Sequence, residues 1–260
     1  MKRTAIVGVV TLVLVTTTFA QKQIKPWKEW NKKEAEKIFN DSAWSHSQTE
    51  RASSQSSSDV STNFGDTRGR EEAVRNVSTN AAVTFNMRFL SARPIRQAYA
   101  RMLELADTKP DAAAIEKLEA WANLAADDRI IITVSCNGDQ QLLSRVAATL
   151  KNANTDELKK TAYLERADGK RVPLTNYTPP ARDVFGARFT FPRTIDGQPF
   201  LTPEAGLLRF YVEYEPKIPD ASMTQSSSRS GSSNRPSQYK LKLDMKFKPA
   251  DMVYNGELEY

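Results

Sequence analysis

Hydrophobic and polar positions follow three different rhythms along this chain. Residues 5–15 form an uncharged, mainly aliphatic run behind Lys2 and Arg3. Further on, Trp27, Trp30, Ala35 and Ile38 fall on one side of a helix, with Glu29, Lys33 and Glu36 opposite. Asn31 and Glu34 have the spacing of a capping box, and Pro26 suits a first helical position. These features predict a Trp-rich helical segment over 21–44. Between 45 and 80 the apolar residues thin out, and Ser53, Ser54, Ser56, Ser57 and Ser58 are nearly contiguous. A stretch that cannot bury apolar area cannot offset its ordering entropy, which predicts a disordered linker.

From Ala81 a second rhythm begins. Val83, Phe85, Met87 and Phe89 alternate with polar neighbours, as in a half-buried strand. Ser91 and Pro94 open a helix carrying Ile95, Ala98, Tyr99, Met102 and Leu105. Asp111 opens a second helix, with Ile115, Leu118, Ala122 and Ala125. Ile130, Ile131, Ile132 and Val134 form a β-branched run, a candidate central strand, and a third helix is expected over 139–151.

After that the period is 2 throughout. Residues 160–166 and 170–177 flank Asp168-Gly169, a hairpin signal. Residues 187–191, 208–214, 239–248 and 252–260 complete the strands, with a disordered serine-rich loop expected over 220–238. Helices grouped first and strands grouped later predict an α+β fold over 81–260, with a largely antiparallel sheet and about three helices.

Composition and charge narrow the function. The positive head, the apolar run and the small residues Thr18 and Ala20 predict a signal peptide over 1–20, cleaved before Gln21. That apolar run is too short to cross a bilayer, which takes about 20 residues. Of 37 basic residues, 35 remain after the leader against 31 acidic ones, a charge of +4. That is too small for a nucleic-acid footprint. One Cys and one His exclude an intramolecular disulfide framework and a Cys/His metal cage. A periplasmic or extracellular location follows as the expectation.

Some local strings resemble a known group. Pro26-Trp27-x-x-Trp30, then Glu34-Ala35-x-Lys37-Ile38 and Ser42-x-Trp44, resemble the opening of uncharacterised exported bacterial proteins. Phe191-Pro192-Arg193 and Asp251-Met252-Val253-Tyr254-x-Gly256-x-Leu258-Glu259 are similar to later signatures of that group. The resemblance implies export and supplies no activity.

Candidate chemistry is sparse. Cys136 ends an apolar strand and His46 falls in the expected linker, so a Cys-His dyad needs the linker to fold back. Ser237-Gln238-Tyr239-Lys240 matches S-x-x-K, but it precedes a strand where that motif opens a helix. Glu213 and Glu215 lie two apart on one strand face, as do Glu257 and Glu259, roughly 6.5 Å apart, a spacing that can flank a glycosidic bond. Arg88, Arg93, Arg96 and Arg101 cluster near the first helix of the body, where an anion site is conceivable. No P-loop, dinucleotide, zincin or nucleophile-elbow motif occurs.

The aromatic residues carry the leading expectation. Trp27, Trp30 and Trp44, with Ile38, are candidate binding anchors on a docking arm, because Trp is a favoured anchor residue. Such an arm docks onto the α+β body or onto a partner. A linker of about 36 residues, at roughly 5–6 Å × √n, reaches on the order of 30–36 Å. The segment's six lysines are offset by four acids, so membrane contact is at most peripheral. The alternation of Met252, Tyr254, Gly256, Leu258 and Tyr260 resembles the terminal strand of an outer-membrane barrel, but a barrel takes at least about eight strands.

The sequence therefore favours an exported, non-catalytic binding module whose partner is another envelope component, a protein. No catalytic residue, metal or cofactor is assigned. Two alternatives stay open: an envelope carbohydrate or peptide hydrolase using Glu213 and Glu215, and a structural protein self-associating through its C-terminal strand.

Overall fold

The computed structural model describes residues 25–51, 81–108, 110–125, 127–216 and 239–260. The expected signal peptide, the linker from 52 to 80 and the 220–238 loop lie outside the described residues.

The fold is α+β, and every strand pairing in it is antiparallel. A single turn of 3-10 helix, Trp27–Glu29, precedes helix α1, Lys32–Asn40. The capping box forms as expected: Asn31 Oδ1 accepts from Glu34 N at 2.9 Å, and Asn31 N donates to Glu34 Oε2 at 2.7 Å. Strand β1 then runs Ser45–Arg51 and pairs with β2, Ala82–Phe89, from Ser45 opposite Arg88 to Arg51 opposite Ala82. Residues 45–51, expected to belong to a linker, are therefore a paired strand instead. Sequence periodicity misses β1 because its inward positions are polar. His46 lies against Phe247, Gln48 bonds to the neighbouring sheet, and Tyr239 Oη donates to Glu50.

Helices α2 (Arg93–Glu104) and α3 (Ala112–Ala122) follow, then β3 (Arg129–Gly138), α4 (Gln140–Asn152) and the short α5 (Thr155–Leu158). Asp111 and Asp139 cap α3 and α4 with their side chains. Ser91 does not cap α2. Its hydroxyl accepts from Ile131 N at 3.1 Å instead, and the backbone cap is Ala92.

The remaining strands are β4 (Ala162–Arg166), β5 (Arg171–Pro173), β6 (Asn176–Thr178), β7 (Ala187–Pro192), β8 (Thr194–Ile195), β9 (Gln198–Pro199), β10 (Leu208–Tyr214) and β11 (Leu241–Phe247). One sheet has the order β1-β2-β3-β7-β6 and the other β11-β10-β4-β5, with β8 and β9 as a small separate pair. The β-branched run of β3 takes the central place in the larger sheet, as its apolar residues on both faces require. The chain passes from one sheet to the other between β5 and β6, where Leu174 is buried.

The two sheets face each other across an aromatic core. Phe189 and Phe191 meet Phe210 edge-on at 5.5 and 6.1 Å, and Phe89 meets Phe247 at 4.8 Å. Such pairs add about 0.5–1.5 kcal/mol each beyond their area. Helix α1 packs on α2, and α2 on α3. Arg88 ties this helical layer to the larger sheet. Its Nε donates to Phe39 O at 2.8 Å, its Nη2 to Asn40 Oδ1 at 2.9 Å and its Nη1 to Ser135 Oγ at 2.8 Å. Burial lowers the Arg88 pKa to about 10.

The last nine residues do not form one strand. Strands β12 (Val253–Tyr254) and β13 (Glu257–Leu258) make a tight hairpin instead. Asn255 and Gly256 have φ of 52° and 83°, the left-handed pair that a two-residue hairpin turn demands. Met252, Tyr254, Glu259 and Tyr260 are buried, so this segment offers no free edge of the expected length.

Candidate binding groove

The hairpin forms one wall of a groove made of three adjacent cavities. The inner cavity, about 170 Å³, lies between the turn after β2 (Leu90, Ser91), Arg96 on α2, and Trp121 and Leu124 at the end of α3. It shares Ala125 with a middle cavity of about 190 Å³, walled by Arg93, Arg193, Glu257 and Glu259. That one shares Arg193 and Leu258 with an outer cavity of about 350 Å³, whose other walls include Pro199, Leu201, Pro203 and Tyr260.

The arginines of the groove are held differently. The Arg93 guanidinium donates to Glu257 and Glu259, and Arg93 N donates to Glu259 Oε2 at 3.2 Å. A carboxylate from the far end of the chain thus caps α2, where the helix dipole favours negative charge. Arg193 lies 3.8 Å over the Tyr260 ring and donates to Tyr260 O.

Arg96 is only 6% exposed and, among the described residues, has neutral hydrogen-bond acceptors alone. Its Nη1 donates to Leu90 O and Ser91 O, and its Nη2 to Leu124 O. Its Nε has no partner among the described residues. Burial pulls its pKa below the ordinary arginine value, with Glu259 and Asp127 opposing and Arg93 adding to the effect. A buried guanidinium without a carboxylate is costly, which is why buried charges are ordinarily paired.

The residues expected to bind lie elsewhere. Trp27, Trp30 and Trp44 are 9%, 3% and 8% exposed, and Ile38 packs partly buried against the same core. The arm is docked on its own body and is not a free tether, and the three indoles are not available to a lipid surface. They act from behind: Trp30 and Trp44 meet Tyr254 edge-on at 6.4 and 6.3 Å, so they support the hairpin wall.

Other candidates separate in space. His46 and Cys136 lie on the outer and third strands of the larger sheet, with β2 between them, so roughly 10 Å of sheet divides them and no dyad forms. His46 is a half-buried sheet residue, not a linker residue, and burial pushes the Cys136 thiol up, away from a reactive thiolate. Glu213 accepts from Tyr211 Oη at 2.7 Å and pairs with Lys240 at 3.0 Å. These two partners hold its carboxyl below the usual range, opposite to a general acid's need. Glu215 is also paired with Lys240. Ser237 lies outside the described residues. Arg101 donates to Trp30 O and Glu104, so of the four clustered arginines only Arg93 and Arg96 line the groove.

Sequence reasoning missed most of the groove. Pro199, Pro203 and Arg193 carried no periodic signal, and only the Asn255-Gly256 dipeptide could have predicted the hairpin. Among the described residues, no cluster of three His, Cys, Asp or Glu side chains is arranged to hold a metal ion, and no helix is long and apolar enough to cross a membrane. In comparisons with known proteins, no family model, no curated protein and no solved structure matches this chain.

Proposed function

We propose that the chain is an exported, non-catalytic binding module of the cell envelope that holds a protein partner in the groove walled by its C-terminal hairpin. The leader pattern and the resemblance to exported bacterial proteins support the location. The observation that carries the binding role is the groove itself, whose apolar outer end leads to a buried, carboxylate-free guanidinium at Arg96. Concave, largely apolar sites with a few converging polar groups are where ligands are held.

Photo-crosslinking in the producing cells tests this reading. A photoreactive residue replacing Thr202 on the outer wall is expected to give one discrete adduct. The same residue replacing Lys242, exposed on the other sheet, is expected to give none. The same adduct from both positions, or none from either, removes the groove as a site for a protein partner.

A further inference from the structure

We propose that the inner cavity receives a planar carboxylate on a compact apolar body, with Arg96 as its anchor. This rests on the binding reading above and names the chemistry of the group bound.

Three features select that ligand class. The first is a buried donor edge left only half satisfied. Nε and Nη2 of an arginine lie on one side of the guanidinium and together match the two oxygens of a carboxylate. In Arg96 the Nε is unpartnered among the described residues, and Nη2 is held by a single backbone carbonyl, that of Leu124. Leu124 follows the C-cap of α3, and its carbonyl is the acceptor that an entering carboxylate replaces.

The second feature is size and lining. A cavity of about 170 Å³ matches the roughly 150 Å³ that accepts a benzene ring in a protein interior. Trp121, Leu90 and Ile131 give it an apolar wall suited to such a body.

The third is charge. Asp127 also lines the cavity, but its carboxylate is already engaged by Arg129, which donates from N and Nε at 2.9 Å each and from Nη2 at 2.5 Å. Glu257 and Glu259 are likewise taken by Arg93. Among the described residues, Arg96 is thus the one guanidinium that lines this cavity, which favours a monoanion over a phosphate dianion.

The test reads the Arg96 Nε–H directly in the full mature chain. In an arginine-Nε nitrogen–proton correlation spectrum, Arg96→Lys assigns the signal by its loss. Benzoate is then titrated against benzamide, its neutral equivalent in shape. The Arg96 signal is expected to move saturably with benzoate and about tenfold more weakly with benzamide. Ala125→Trp, which fills the cavity from an exposed position, is expected to keep the folded spectrum and abolish the response.

An unmoved signal, an equal response to benzamide, or an undiminished response in Ala125→Trp overturns the proposal. A Thr202 adduct with a silent Arg96 removes the carboxylate site and keeps the binding module. An Arg96 response without any adduct does the reverse.

Discussion

Trp44 Nε1 donates to the backbone carbonyl of Glu259 at 2.8 Å, a buried bond between residues 215 positions apart. The Glu259 side chain turns the other way, to the amide and guanidinium of Arg93. One C-terminal residue thus joins the Trp-rich segment to the start of α2, and the groove's middle wall stands on that junction. Trp44→Phe keeps a ring against Tyr254 but leaves the Glu259 carbonyl buried without its donor. The expected loss is about 1–3 kcal/mol, read as a lower urea midpoint with an unchanged slope.

The two hairpin glutamates that bind Arg93 differ in exposure, and this separates their contributions. The Glu259 side chain is 5% exposed and that of Glu257 is 70% exposed. Glu259→Gln weakens both the cap of α2 and a shielded ion pair, with an expected cost of about 1–3 kcal/mol. Glu257→Gln is expected to cost less than about 0.5 kcal/mol, because water and salt already screen that pair. Equal losses for the two variants in chemical denaturation would show that Glu259 is not the cap.

Most of the fold was legible in the sequence because its elements are driven by burial. The strand through Phe85, Met87 and Phe89, the isoleucine run of β3 and the Asp111 and Asp139 helix starts each carry a periodic or capping signal strong enough to read alone. β1 escaped because its inward residues, His46, Gln48 and Glu50, are satisfied by partners on β11 and at Tyr239, about 190 positions away. The Trp residues were legible as anchors, but periodicity cannot say whether an anchor finds its own chain or another. The groove was illegible for a related reason: it joins the ends of α3, β7 and the hairpin, and no local pattern records which ends meet.

Gln48 shows how that long-range pairing closes the sandwich. Its Nε2 donates to Lys242 O at 3.0 Å, and its Oε1 accepts from Asp244 N at 3.0 Å. One side-chain amide therefore pairs with β11 as a neighbouring strand would, on an edge that pairs with no further strand among the described residues. Gln48→Leu frees one N–H and one C=O at that edge. The expected result is a loss of about 1–2 kcal/mol together with concentration-dependent association in sedimentation velocity. A variant that stays monomeric over the same concentrations as the wild type would show that β11 needs no such guard.

His46 makes stability depend on pH in one narrow window. It is the only histidine in the chain, half-buried, with its ring 4.9 Å from that of Phe247. Burial lowers its pKa below the ordinary 6.5, and the charge of Asp41 opposes this only in part. The unfolded chain therefore takes up the proton first. Stability contributed by neutral His46 is fully present above 6.5 and is lost as pH falls from there towards the folded-state value. Glu213 and Asp244 act in a different window. Tyr211 and Lys240 hold the first low, Arg209 holds the second low, and their contributions are lost only as pH falls through the carboxylate range. Urea unfolding between about pH 7.5 and about pH 5.5 isolates the imidazole. The wild-type midpoint is expected to fall across that interval, and that of His46→Phe to stay flat. A wild-type midpoint that rises on acidification would mean that Asp41 outweighs burial and that His46 is stabilised in its charged form.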